Sequence, residues 1–229
     1  MKQLVIAVLA AAVLWTAPVA QAQTVRAMPV DEGTSNAGFK AYRDAFLSAV
    51  VRRDIDAILA MTDADVHLSF GGHSGHADFR EMMTVSPERI AEEYQHEIPR
   101  MREDYWRALE DVLRMGGRFE DGGTSFAAPY TDTVTPPESY DPYLTFFVIG
   151  RSVALRERPI RWGKLIARLD HDIVTVLEGG EGTTYMRVRL ADGRTGFVHR
   201  DYLRSQVDYR AAFELDGTDW KLVRFIAGD

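Results

Sequence analysis

Three histidines fall within ten residues, His67, His73 and His76, with Asp65 and Asp78 beside them. Imidazole and carboxylate are common zinc ligands, but the spacing does not support a metal centre. His73-Ser74-Gly75-His76 reads as a Gly-rich loop, without the helical i, i+4 pair or the neighbouring carboxylate of a zinc-enzyme motif. No metal and no cofactor are expected, and the histidines read as loop side chains facing water after a strand. Asp65 or His67 could instead serve as a general base inside a pocket, with Tyr42, Tyr105, Trp106 and Tyr130 as walls or donors. Core packing accounts for the same aromatics more simply, because they recur at helical spacing. Nucleophilic chemistry has less support still: the chain has no Cys and no Ser in a Gly-x-Ser-x-Gly elbow. Gly179-Gly180-Glu181-Gly182 precedes a strand instead of a helix, so its amides are not arranged to cradle a phosphate, and it reads as a hairpin loop. No catalytic residue is assigned.

A second set of residues suits binding. Trp162, Tyr185, Phe197 and Tyr202 offer wide, rigid contact surfaces, three of them with a polar edge or tip, and are the candidates to line a groove. Around them Arg151, Arg156, Arg158, Arg161, Lys164 and Arg168 place positive charge in an otherwise acidic chain. Such an asymmetry favours an acidic partner, although a solvated charged face is its commoner meaning.

The first 22 residues read as a secretion signal: Lys2 supplies the positive start, Val5 to Trp15 the apolar run, and Ala20-Gln21-Ala22 the cleavage site. The run is too short for a membrane span, which needs about 20 apolar residues. Without any Cys, neither a lipid-modified cysteine nor a disulfide is expected, and the fold must rest on its core. Cleavage leaves 26 basic against 34 acidic side chains in 207 residues, a net charge of −8. That balance argues against nucleic acid and anionic lipid as main partners.

These side chains need elements to position them. Residues 23–38 read as a flexible segment, from their Gly, Thr, Ser and Asn content. Phe39, Tyr42, Phe46 and Val50 mark one helical face, and Asp54 caps a second helix to Met61. Val66 to Phe70 alternates as a strand ended by Gly71-Gly72. Ser86-Pro87 opens a longer helix carrying Ile90, Tyr94, Met101, Tyr105, Leu109 and Val112, which Pro99 should kink or divide. Ser125 to Ala128 is a further strand, Pro136 to Pro142 a connector, and Tyr209 to Ile226 a hairpin turning at Asp216-Gly217. A lone hairpin is marginal in water and must join a larger sheet.

Two resemblances organise these elements. Val153-Ala154-Leu155-Arg156 ahead of Pro159, then Ile166 to Leu169, Asp192-Gly193-Arg194-Thr195-Gly196-Phe197-Val198 and Tyr202-Leu203, make residues 148–205 resemble a bacterial Src homology 3 domain. Asp172 stands where that pattern often has Gly, and Tyr185-Met186 where it often has Trp. The paired helices before Met61, the segment Asp63 to Gly72 and the closing run Ala211 to Asp229 look like the start and finish of the nuclear transport factor 2-like family. The fold class expected is therefore α+β: a bent antiparallel sheet wrapped by helices into a cone, over 39–147 and 206–229, plus a small all-β barrel at 148–205. The resemblances imply a barrel inserted before the cone's last hairpin; a tandem arrangement, with the hairpin in the barrel, is the alternative.

The function expected is that of a secreted or periplasmic, non-enzymatic binding protein, whose barrel recognises cell-wall peptide (peptidoglycan) or an envelope protein. The alternative is a small-molecule or isomerase- or hydrolase-like catalytic pocket in the cone around Asp65, His67, Tyr105, Trp106 and Tyr130.

Overall fold

The computed structural model describes residues 25–69, 72–180 and 182–228; the expected secretion signal, Phe70 and Gly71 of the expected strand end, and Glu181 lie outside them. Short polar side chains begin the first helices. Asn36 accepts from the Phe39 amide at 3.0 Å to open α1 (Ala37–Val51), and Asp54 accepts from the Ala57 amide at 3.1 Å to open α2 (Ile55–Ala60). Each oxygen satisfies an amide that the helix itself leaves unpaired. Strand β1 (Thr62–His67) starts four residues earlier than its alternation suggests.

The next segment departs from expectation. The loop expected around His73 to His76 runs instead into helix α3 (Gly75–Thr84), whose Phe79 and Met83, one turn apart, are buried in the core. The long helix expected from Ser86 begins as two 3-10 segments, Pro87–Arg89 and Glu92–Glu97, and only Ile98–Arg114 is α-helix, α4. Pro99 lies in its first turn, where no amide hydrogen is needed, so it neither kinks nor divides the helix. Tyr94 accordingly leaves the apolar stripe and is exposed.

Strands β2 (Arg118–Glu120) and β3 (Ser125–Ala128) follow. Gly117 meets β3 so closely that a Cβ there would stand 2.0 Å from the Ala127 carbonyl oxygen. Seven further strands come next: β4 (Thr145–Val148), β5 (Val153–Arg156), β6 (Leu165–Leu169), β7 (Ile173–Glu178), β8 (Tyr185–Arg189), β9 (Thr195–His199) and β10 (Leu203–Ser205). The chain closes with β11 (Arg210–Asp216) and β12 (Asp219–Ile226), joined at Gly217, whose φ of 62° suits glycine.

The molecule is α+β with two sheets. The first has the order β1-β12-β11-β3-β2, with β1 parallel to β12 and the other pairs antiparallel. Its centre is thus the last hairpin, which returns to strands laid down before residue 130. The second has the order β10-β4-β7-β8-β9-β5-β6. Strand β4 belongs to it, pairing with β7 and β10, so the sheet starts at Thr145 and not at residue 148.

Each sheet has its own core. Helices α1 to α4 cover the first sheet with rings: Phe39 lies 4.3 Å from Phe126, 4.8 Å from Trp220 and 5.7 Å from Phe213, all buried. The second sheet closes over aliphatic side chains, among them Val148, Leu155, Leu169, Val176, Val188 and Val198. A small cluster of Ala27, Tyr130, Phe147 and Ile173 joins the two.

The segment expected to be flexible is tied down along its described length. Val25 accepts from the Ile173 amide at 2.9 Å and the Ala27 amide donates to the His171 carbonyl at 2.8 Å, so the chain starts against the second sheet. Asp31 then receives both Arg43 nitrogens, at 2.6 and 2.9 Å, while Glu32 accepts from the Phe119 amide at 3.0 Å. Composition suggests mobility, yet the acidic Asp31 and Glu32 among these small residues, with Asn36 at the start of α1, accept hydrogen bonds that fix the segment to the rest of the fold.

Candidate functional site

The second sheet is built by period-two alternation, which sends Val153, Leu155, Met186, Val188 and Val198 inward. The residues between them face out, and because β8, β9, β5 and β6 are neighbours, Tyr185, His199, Ala154 and Arg168 come to share one outer surface. Tyr185 stands directly opposite His199 across the β8–β9 ladder, and Ala154 opposite Arg168 across β5–β6. The surface is hollowed into a groove of about 540 Å³, in which the small Ala154 leaves room between larger side chains.

One part of its lining is aromatic. The Tyr185 and His199 rings meet edge to face at 5.0 Å, and Tyr202 continues the series 6.1 Å from His199. Tyr202 is brought there by the 3-10 turn Arg200–Tyr202, where the His199 ring nitrogen Nδ1 accepts from the Asp201 amide at 3.4 Å. The other part is cationic. Arg151, Arg156, Arg161 and Arg168 all line the groove. Arg156 holds the β5–β6 loop by donating to the Gly163 carbonyl at 2.8 Å, and Arg168 donates to the Ser152 carbonyl at 2.8 Å. The Ser152 amide in turn donates to Asp170, which supports a backbone held at φ 55°. Arg151 and Arg161 are exposed, and among the described residues neither makes a hydrogen bond or an ion pair with protein.

Two of the four aromatic candidates therefore converge and two do not. Trp162 lies at the loop tip, 80% exposed, with the Arg161 guanidinium 5.2 Å from its ring centre, and does not line the groove. Phe197 faces outward between Arg156 and Arg187 on the neighbouring strands and is half-buried beside the groove. His199 escaped the sequence reading, because its role depends on a cross-strand register with a residue 14 positions earlier. Of the cations that the sequence gathers between Arg151 and Arg168, four line this groove: Arg151, Arg156, Arg161 and Arg168.

The candidates in the first half are dispersed. Asp65 is exposed on β1, and its amide is turned to Asp63. His67 is half-buried at the end of the same strand. Trp106 is packed into the core, with the Arg53 guanidinium 5.5 Å from its ring centre. Tyr130 belongs to the cluster that joins the two sheets. Tyr105 borders a cleft of about 340 Å³, which it shares with Leu68, His73, Asp78, Met82 and Tyr209. His73 and Asp78 approach to 3.5 Å there, while His76 turns away to the Thr62 carbonyl at 3.1 Å. Among the described residues, the core beneath the first sheet is packed with phenylalanine and tryptophan rings, and Asp65 and His67 lie on β1 without being drawn into the cleft that Tyr105 borders. Two hydroxyls are held neutral instead of poised for proton transfer. Burial pushes the Tyr42 phenol far up, and its O–H donates to the Met61 carbonyl at 2.9 Å; burial, then the neighbouring Tyr105 and Asp208, does the same to Tyr209.

No family model, no curated protein and no solved structure matches the chain.

Proposed function

We propose that the protein is a secreted or periplasmic binding protein of the cell envelope, with no catalytic activity. In this reading the first half is a cone of the nuclear transport factor 2-like kind and acts as scaffold. The second sheet is a barrel of the bacterial Src homology 3 kind, inserted before the cone's last hairpin, and it recognises the peptide of the cell wall or an envelope protein. The single observation that carries the reading is the groove in which Tyr185, His199 and Tyr202 face four arginines. Rigid rings beside charged forks suit recognition, since they contribute contact area with little conformational entropy to lose. Catalysis would need an acid or base aimed into a shielded site, and the solvent-open groove offers no such arrangement.

The test is co-sedimentation of the chain with purified peptidoglycan sacculi at low and moderate salt. Pelleting with sacculi that is lost in Tyr185→Ala and Tyr202→Ala, both of which remain folded, is the expected result. Pelleting that those two changes leave intact would remove the groove from the reading, and no pelleting at either salt would direct attention to an envelope protein partner.

A further inference from the structure

Six cations occur between Arg151 and Arg168, namely Arg151, Arg156, Arg158, Arg161, Lys164 and Arg168, and among the described residues none makes an ion pair. Elsewhere many arginines find carboxylates, although Arg102 and Arg200 donate to backbone carbonyls instead: Arg43 meets Asp31 at 2.6 Å, Arg53 meets Glu103 at 2.8 Å, Arg80 meets Asp56 at 2.5 Å, and even on the second sheet Arg187 meets Glu178 at 2.6 Å. Charge is divided along the same line. Residues 145–205 hold eleven Lys and Arg against seven Asp and Glu, a net of +4, and the rest of the chain holds 16 against 27, a net of −11. An acidic chain that leaves one stretch of guanidinium groups unneutralised, four of them around one groove, maintains a local positive potential at the cost of mutual repulsion.

We propose that the groove takes an extended acidic peptide, whose carboxylates are held by Arg151 and Arg161 while the chain between them lies along Tyr185 and Tyr202. The inference rests on the reading of this groove as the binding surface and adds the chemistry of what it binds. Guanidinium forks match carboxylate oxygens two by two; both arginines are exposed, and only an exposed contact with the Trp162 ring holds Arg161 away from a ligand. Asp201, also in the groove and with its side chain 80% exposed, distinguishes a peptide from a phosphate polymer. A peptide has amide hydrogens to donate to that carboxylate, whereas a polyphosphate has none and would be repelled by it. A bilayer fits less well, because Arg156 is half-buried beside the hollow, where a flat headgroup plane does not reach.

The test measures binding of the full chain to hexaglutamate, hexaglutamine, tripolyphosphate and phosphatidylglycerol vesicles at two ionic strengths. Hexaglutamate is expected to bind at least about tenfold more tightly than hexaglutamine at about 0.01 M salt, and the margin to shrink at about 0.15 M as the screening length falls from roughly 30 to 8 Å. Arg151→Gln and Arg161→Gln, which break no hydrogen bond or ion pair among the described residues and, at Arg161, only an exposed contact with the Trp162 ring, should each weaken hexaglutamate binding by about two- to fivefold. Equal affinity for the two peptides, indifference to both substitutions, or preference for tripolyphosphate or vesicles would overturn the inference. Sacculi separate this inference from the wider reading. Arginine-dependent hexaglutamate binding without sedimentation on sacculi keeps the acidic-peptide site and removes the cell wall as its source. Sedimentation that persists after the sacculus carboxylates are amidated keeps the wall and overturns the acidic-peptide site.

Discussion

The two sheets handle the same residue types in opposite ways. Around the first, phenylalanine and tryptophan rings are inside and many arginines, such as Arg43 and Arg53, meet carboxylates; on the second, the inside is largely aliphatic, while rings and the arginines of the groove, which have no carboxylate partner, stand on the outer surface. A ring in a core stabilises by removing its area from water, and a paired guanidinium satisfies its own charge. A ring and a cation left in the open do neither for the fold. The difference teaches where to look for function: exposed rings and cations gathered at one groove are the side chains that stability alone does not account for.

The comparison makes its largest demand on the first core. Phe213 is fully buried on β11, with the rings of Phe39, Tyr42 and Phe46 about it at 5.7, 5.9 and 6.2 Å. Phe213→Ala should cost about 3–5 kcal/mol, the sum of lost transfer energy and an unfilled cavity, read as a lower urea midpoint. A loss no larger than about 0.5 kcal/mol, the scale of an ordinary exposed site, would break the comparison, because it would mean the rings are loosely packed and the first half holds space for a ligand.

Next in size is the tether between the amino-terminal segment and α1. Arg43 is buried and donates two hydrogen bonds to Asp31, whose side chain is 40% exposed. Asp31→Asn should cost about 1–2 kcal/mol, the lower part of the range for charge-assisted bonds because water reaches one side of the pair. The same loss should appear in the unfolding midpoint without change in sacculus or peptide binding. A change in binding would show that the amino-terminal segment bears on the groove.

How far the sequence could be read follows from which interactions are local. The caps at Asn36 and Asp54 act within three residues, and the Asp216-Gly217 turn within two, so the first helices and last hairpin are legible. Helix α3 is not, because only Phe79 and Met83 mark it and Gly75 interrupts its start; it is held by burial against the distant Phe225, 6.3 Å from Phe79. The end of β1 likewise depends on β12, some 160 residues later. At the site, residue types pointed to Tyr185 and Tyr202 and to the arginines. Convergence was invisible, since it depends on the β8–β9 register that sets Tyr185 against His199 and leaves Trp162 on the loop.

Two aspartates sharpen the contrast through pH. Burial raises Asp31, but the Arg43 hydrogen bonds and charge, with the Gly33 amide, outweigh it and hold the carboxyl below its ordinary value of 3.8. Its contribution is complete above that value and is lost as pH falls through the lowered one. Asp132 lies at the junction of the two halves with its side chain 23% exposed and Arg210 only 3.7 Å away. Burial there outweighs Arg210 and Arg224, so its carboxyl is raised above 3.8. The sign reverses: the folded state binds the proton more readily, so stability from this group is greatest below 3.8 and declines as pH rises through the raised value. Asp132→Asn should flatten the decline on the less acidic side and Asp31→Asn the loss on the more acidic side, in urea midpoints taken across the acid range.

The smallest effect on stability is expected at the most conspicuous residue. Trp162 is 80% exposed and touches the fold chiefly through Arg161, whose charge lies 5.2 Å from its ring. An exposed cation–π contact contributes about 0.5–1 kcal/mol at most, and Arg161 loses little by turning into water. Trp162→Ala should therefore shift the urea midpoint by no more than an ordinary surface change, about 0.5 kcal/mol. Ligand binding decides what the ring does there. If the acidic peptide spans Arg151 and Arg161 along the tyrosines, Trp162 lies outside its path, and losing the ring frees Arg161 to turn inward. Hexaglutamate binding should then be unchanged or slightly tighter, whereas a marked loss would extend the binding surface from the groove onto the β5–β6 loop.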